Sequence, residues 1–177
     1  LASQTTANVS AADKANSINA KSLETGVTAS GFNSIDIVVD TSAPTMSEHA
    51  NAAIQGVTMV FTSDISLQNI VDEINTKLAG KSDVIASATT EGKLRLESAS
   101  GATIVFDDTV DTTGQGNLFK SATYTADASA VTVANGLGTA RGFISLTSVN
   151  GDAIKVEDGQ QDTTVNTGTD RIGFSSS

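Results

Sequence analysis

Apolar residues recur at helical spacing near the start of the chain. Ser10 offers a side-chain oxygen that can cap a helix, and Asp13 follows at the spacing of a capping box. The apolar residues that share one face are Ala11, Ala12, Ala15 and Ile18. The pattern predicts a helix that runs to about Leu23 and stops at Gly26, because glycine is a favourable residue just after a helix.

The strongest amphipathic pattern begins at Ser66, which is a second candidate N-cap. Ile65 before it and Ile70 after it can form a hydrophobic staple. One apolar stripe contains Leu67, Ile70, Val71, Ile74 and Leu78. We therefore predict a second helix that ends near Gly80.

Alternating apolar and polar positions predict short strands in the rest of the chain. The predicted strands are 27–32, 34–40, 57–62, 84–89, 93–98, 101–106, 121–126, 130–134, 143–149 and 153–157. A turn at 91–92 predicts one hairpin. Asn150-Gly151 predicts another, which would pair 143–149 with 153–157 because Asn-Gly favours a two-residue hairpin turn.

One stretch of the chain is repeated. Ile18-Asn19 recurs 56 positions later as Ile74-Asn75. The dipeptide Ala29-Ser30 recurs 57 positions later, so the second copy is one residue longer. Each copy reads as a helix, a turn and strands onto which the helix folds back.

These patterns together predict a β-rich α+β fold. Residues 1–106 would hold two small units, about 11–40 and 57–106, in which a helix covers an antiparallel sheet. Residues 107–177 would form a β-rich region with a hairpin that returns to the first unit. We place the boundary near Asp107.

Composition excludes several classes of function. The formal net charge is −10, and nucleic acid or an anionic membrane would require a basic face, so we expect neither as a partner. The chain has no cysteine and one histidine, His49, which excludes thiol nucleophiles, thiolate metal sites and multi-histidine metal sites. Serine and threonine are abundant, with 21 and 24 residues.

Candidate catalytic and binding residues have ordinary structural explanations. Asp107, Asp108 and Asp111 carry oxygen ligands that calcium accepts, but their spacing is not that of an EF-hand. The sequences 114–116 and 136–138 are Gly-x-Gly turns that complete no phosphate-loop motif. His49 beside a glutamate is insufficient for a catalytic triad. We expect no catalytic residue, no metal, no cofactor and no enzymatic activity.

The repeated segments resemble the IN motif of bacterial flagellins and hook-associated proteins. The first copy, Ile18-Asn19 followed by Gly26-Val27-Thr28-Ala29-Ser30, is a close match, and Ile74-Asn75 is the centre of a second. The resemblance covers about 11–106, and 142–157 more loosely. Its motif residues, with a structural role, are Ile18, Asn19, Gly26, Val27, Ile74 and Asn75.

This resemblance implies a structural protein of the bacterial flagellum. The chain would be the outer, surface-exposed part of a secreted, extracellular flagellin that supports motility. Its partners would be other flagellin subunits, joined through terminal helices that we expect outside this chain. Flagellins resembling this one are often O-glycosylated, and the candidate tracts for such glycans are 109–113, 121–125 and 163–169.

Alternatives stay open at this stage. The filament cap and the hook–filament junction proteins can carry the same motif, so the resemblance does not separate them from flagellin. A carbohydrate-binding adhesin would need a concave site with aromatic side chains, for which Tyr124 and six phenylalanines are the material. An extracellular hydrolase would need a cleft with perturbed carboxylates.

We interpret Asn19 and Asn75 as hydrogen-bonding to nearby backbone rather than to a ligand.

Overall fold

The computed structural model describes residues 9–41, 52–59, 66–108 and 118–156. Within these ranges the fold is a β-rich α+β fold, as predicted. The helices are α1 (Ala11–Asn19), α2 (Ser22–Thr25) and α3 (Leu67–Leu78). The strands are β1 (Val27–Val39), β2 (Ala53–Ile54), β3 (Val57–Thr58), β4 (Val84–Ala88), β5 (Leu94–Ser98), β6 (Ile104–Asp107), β7 (Phe119–Tyr124), β8 (Ala130–Val131), β9 (Val133–Ala134), β10 (Leu137–Ala140) and β11 (Phe143–Ser148).

The described strands form two antiparallel sheets. The first has the order β4-β5-β1-β7-β8, and β11 also pairs with β1. The second has the order β3-β2-β6-β10-β9. Strand β1 organises the first sheet, because residues 27–32 pair with β11 and residues 33–39 pair with β5 and β7.

Two apolar clusters hold these layers together. The larger joins α3 to both sheets, and each large side chain that becomes fully buried there stabilises the fold by about 1.5–3 kcal/mol. Its largest fully buried residues are Phe106, Phe119, Ile35, Ile37, Ile54, Met59, Ile70, Ile74, Leu78, Leu94, Leu96 and Ile104. The smaller lies between α1 and β11 and has the buried residues Ala11, Ala15 and Ile144.

The first predicted helix is shorter than expected. It ends at Asn19, and after a turn at 20–21 the chain forms the separate short helix α2. Gly26 then caps α2 in the left-handed conformation, with φ +67°. At the break the backbone tightens into a turn, in which the Lys21 N–H donates to the Ile18 carbonyl oxygen at 2.9 Å.

The strands differ from prediction in several places. The separate strands 27–32 and 34–40 are one continuous strand, β1, since Asn33 is buried within it and anchored by its amide. The predicted strand 130–134 is divided at Thr132 into β8 and β9, which belong to different sheets. The predicted strand 57–62 is described only to Met59, and its regular part ends at Thr58.

The hairpin predicted at Asn150-Gly151 is wrong over the described residues. Strand β11 pairs with β1 instead, and residues 152–156 form no strand. The reason is burial: Ile144 packs against α1 in the smaller cluster, whereas Val156 is exposed. The hairpin predicted at 91–92 is confirmed, as β4 and β5 pair across it.

Pairing crosses the expected boundary at Asp107. Strand β7 lies beside β1 in the first sheet, and β10 lies beside β6 in the second. The division into two domains stays a prediction, while the described strands on its two sides share both sheets. Strand β11 pairs with β1, and the return of the chain to the first unit stays a prediction together with the division.

Candidate functional site

The asparagine of the first repeat lies at the last position of α1 and bonds the backbone of β1. The Asn19 amide nitrogen donates to the Ala29 carbonyl oxygen at 2.8 Å. The Ala29 N–H donates to the Asn19 side-chain oxygen at 2.7 Å. One amide side chain therefore satisfies both backbone groups of a single strand residue.

The asparagine of the second repeat makes the same pair of bonds. The Asn75 amide nitrogen donates to the Ala86 carbonyl oxygen at 2.9 Å, and the Ala86 N–H donates to the Asn75 side-chain oxygen at 2.8 Å. Asn75 lies near the end of α3, and Ala86 lies in the middle of β4. We call this arrangement the asparagine clamp.

The clamp at Asn75 covers a strand edge. Strand β4 is the outermost strand of the first sheet on its side, among the described residues. The Ala86 groups that Asn75 bonds face away from β5, where another strand could otherwise add to the sheet. The side chain thus takes the place of a neighbouring strand and reduces edge-to-edge association.

Two further pairs of contacts match between the repeats. Ser10 accepts a hydrogen bond from the Asp13 N–H, and Ser66 accepts one from the Asn69 N–H. At the entry to each strand, Thr25 accepts from the Val27 N–H at 3.2 Å. Ser82 accepts from the Val84 N–H at 3.1 Å in the same way.

Sequence reasoning missed the turn contacts of Thr25 and Ser82. The spacing of 57 that aligns Ala29 with Ala86 also aligns these two hydroxyl residues. Hydroxyl side chains commonly bond the backbone N–H two residues later, so the alignment carried a usable signal.

The predicted motif residues form two separate sets. Ile74 is fully buried in the larger cluster under α3, whereas Ile18 is only partly buried beside the smaller one. Gly26 and Val27 mark the end of α2 and the start of β1. The structure places these residues in helix–strand packing and brings no set of them together around a shared pocket within the described chain.

Carboxylates of the described region bond partners within the fold. Asp36 accepts two hydrogen bonds from the Arg95 guanidinium, at 2.7 and 2.9 Å. Burial would raise the pKa of Asp83, but hydrogen bonds from Ser100 and Ser98 together hold that pKa below its usual value. The two serine hydroxyls lie 2.6 and 2.7 Å from the Asp83 carboxylate.

The described acidic residues that were considered as calcium ligands have different structural roles. Asp107 ends β6, and the buried Asp108 accepts a hydrogen bond from the Leu118 N–H. Asp111 lies outside the described residues, as does His49. Within the described ranges, no group of three or more His, Asp or Glu residues could hold a metal ion.

The Gly-x-Gly turns do not form a phosphate loop where the structure describes them. Gly138 lies in β10, and a Cβ there would stand 2.0 Å from the Phe106 ring, so its glycine is required by packing. The element after Gly136 is a strand rather than the helix that a phosphate loop precedes. The turn at 114–116 lies outside the described residues.

Of the glycosylation tracts, only 121–125 is described. Ser121 is exposed on β7, whereas the Thr125 hydroxyl donates to the Ser34 carbonyl oxygen at 3.3 Å. Thr125 is exposed as well, so both residues stay candidate sites.

A groove of about 440 Å³ opens where the two sheets meet. Its walls come from β7 and β8 of the first sheet and from β9 and β10 of the second. The lining residues are Tyr124, Ala130, Val131, Thr132, Ala134, Leu137, Gly138, Thr139 and Arg141. No sequence signal pointed to it, because its residues meet only through the pairing of strands from two sheets.

No family model matches the chain, and no curated protein sequence matches it. None of the helices in the described ranges is both long enough and apolar enough to cross a membrane.

Proposed function

We propose that this chain is a structural, non-enzymatic module, the surface-exposed outer part of a bacterial flagellin. The observation that carries the proposal is the repeated asparagine clamp, at Asn19 and Asn75. It occurs at the Ile-Asn positions through which the sequence resembles the flagellin IN motif. The function would be to cover the extracellular filament and support motility.

The contacts of the motif favour a structural role. In each repeat the polar side chains bond backbone of the same unit: a serine at the helix start, an asparagine at its end, and a hydroxyl at the strand entry. Such bonds order the unit without leaving the asparagine amide free for a ligand.

The partners of the module follow from the same proposal. Other flagellin subunits would join it through terminal helices, and O-linked glycans would modify exposed hydroxyls such as Ser121. Intact mass and peptide mapping of the native protein from sheared filaments test both. The expected result is flanking peptides with heptad repeats and added mass on serine or threonine peptides.

The decisive experiment is immunogold electron microscopy of the source cells with an antibody raised against this chain. Labelling along the whole filament supports the flagellin proposal. Labelling only at the distal tip or only at the hook replaces it with the filament cap or the junction protein. Gold particles on the cell body alone would overturn the flagellar assignment. A strain from which the gene is deleted provides the background control.

A further inference from the structure

Two cationic residues lie together in a strongly acidic protein. Arg141 follows β10, and its carbonyl oxygen accepts a hydrogen bond from the N–H of Ala11 at the first position of α1, at 3.0 Å. Lys14 lies one turn along that helix. Burial, and after it the nearby charge of Arg141, lower the pKa of Lys14.

These two charges are not neutralised by an ion pair within the described part of the chain. Most other described cations are paired with a carboxylate. The paired residues are Lys21, Lys77, Lys93, Arg95 and Lys120. With a net charge of −10, a pair of like positive charges left adjacent is a local reversal of the protein's field.

Arg141 also lines the groove between the sheets. Its backbone N–H donates to the Tyr124 hydroxyl at 3.0 Å, which places the Tyr124 ring and the arginine at the same end. The Tyr124 ring packs edge-on against Phe143, with centroids 5.0 Å apart. Thr132 and Thr139 are exposed and line the same groove.

The combination matches one class of ligand. A guanidinium binds a carboxylate through two parallel hydrogen bonds. An apolar wall with a few convergent polar groups and a volume of several hundred Å³ is typical of small-ligand sites. A ring that bears hydroxyl groups and a carboxylate presents apolar C–H faces, hydroxyls and a negative charge to these three features.

We propose that the groove is a binding site for an acidic sugar, whose carboxylate pairs with Arg141 and whose ring packs on Tyr124. Lys14 adds positive charge at the carboxylate end. The hydroxyls of Thr132 and Thr139 bond the hydroxyls of the sugar. This site is separate from the asparagine clamps and does not depend on a flagellar location.

A peptide strand is a weaker match to the same groove. Of the four strands that line it, β8 and β9 are the last in the order of their sheets and have two residues each, so their edges offer few backbone groups for an added strand. The ladder of main-chain bonds that usually binds an extended peptide is therefore short here. The charge and hydroxyl arrangement favours a compact anion.

The test is an NMR titration of the 177-residue chain with glucuronate, with glucose and acetate as matched probes. Glucuronate should shift the amide signals of the groove residues saturably, in the millimolar range that suits a single sugar. Glucose lacks the charge, so it should bind about tenfold more weakly, the loss expected when one charged hydrogen-bonding group is removed. Acetate keeps the charge but lacks the ring and its hydroxyls, so it should also bind more weakly, because the contacts with Tyr124, Thr132 and Thr139 are lost.

Two variants with the same change in charge complete the design. Arg141→Gln removes the guanidinium but keeps the backbone bonds to Ala11 and Tyr124, and it should weaken glucuronate binding about tenfold. Lys81→Gln, in the exposed turn after α3, should leave the affinity unchanged. Equal affinities for glucuronate and glucose, equal affinities for glucuronate and acetate, or full affinity in Arg141→Gln would each overturn the proposal.

Discussion

In the first repeat unit the helix packs through alanines onto a small cluster, and in the second it packs through large aliphatic side chains onto the main core. Helix α1 buries Ala11 and Ala15, whereas α3 buries Ile70, Val71, Ile74 and Leu78. The two hydrogen bonds of the asparagine clamp are nevertheless the same in both units. The same helix–strand hydrogen bonds therefore occur with very different amounts of apolar burial.

The polar contacts differ between the units in their exposure. The clamp of Asn19 is exposed to solvent, and that of Asn75 is partly buried. At the helix start the difference is in the number of bonds, because Ser10 and Asp13 form a full capping box and Ser66 forms a single cap. The first unit thus depends more on local bonds and the second more on its core.

We expect the largest difference in stability between the two units when the isoleucines at matching positions of the repeat, Ile18 and Ile74, are replaced. Ile74→Ala should lower the free energy of unfolding by about 2–5 kcal/mol, because it leaves a cavity in the main core. Ile18→Ala should lower it by only about 1 kcal/mol, because Ile18 is partly exposed. Urea unfolding measures both. Ile85→Ala, at a side chain that is 63% exposed, is the control, and equal losses at 18 and 74 would contradict the comparison.

The second largest difference in the free energy of unfolding should come from loss of the asparagine clamps. Asn75→Ala leaves two partly buried backbone groups of Ala86 without partners, and should lower the free energy of unfolding by about 1–3 kcal/mol. Asn19→Ala should lower it by less, because water can reach the Ala29 groups. Hydrogen exchange at the amides of Ala86 and Ala29 reports each clamp directly.

The control for the clamps is Asn16→Ala, an exposed asparagine within α1, which should be neutral because alanine favours a helix. The interpretation fails if loss of Asn75 leaves the exchange of the Ala86 amide unchanged.

For the helix caps, the loss in the free energy of unfolding should be greater in the first unit than in the second, the reverse of the order expected for the isoleucines and the clamps. Ser10→Ala removes a nearly buried capping box and should lower the free energy of unfolding by about 1–2 kcal/mol. Ser66→Ala removes one exposed cap and should lower it by about 0.5–1 kcal/mol. Thermal unfolding of the two variants measures the difference. A greater loss at position 66 would show that the capping box adds nothing.

The smallest effect concerns pH and belongs to the second unit alone. The pKa of Asp83 is lowered in the folded chain, so this carboxylate stabilises the fold above its unfolded pKa and ceases to do so as pH falls through the folded value. Asp83→Asn should therefore lower the melting temperature slightly at pH 7. The difference in melting temperature between the variant and the unchanged protein should disappear in acid. The residue is exposed, which keeps the effect small. A difference that is constant with pH would exclude the carboxylate as its source.

The sequence supplied the features that depend on neighbouring residues. Both helix starts, the β4–β5 hairpin and the fold class could be read from caps, periodicity and turn residues. The repeat aligned the two asparagines, and Ile74 followed from its place in the apolar stripe.

The structural features that the sequence did not predict depend on contacts between residues far apart in the chain. The Asn150-Gly151 dipeptide favours a hairpin locally, but β11 buries Ile144 against α1 by pairing with β1, and this long-range burial prevails. Thr132 carries no sign that the chain changes sheets there. The groove has the same origin, since Tyr124 lies in β7 and Arg141 follows β10, and these two segments meet only in the folded chain.

The register of β1 and β11 has a mechanical consequence. Val27 pairs with Ser148, so the chain enters β1 and leaves β11 at the same end of the strand pair. A pulling force applied between residues 26 and 149 would load the Val149–Gly26 hydrogen bond first and then peel the pairs apart one at a time. Under tension the hydrogen bonds between β1 and β11 would therefore break one after another. The strands around the main core would slide past one another only after that.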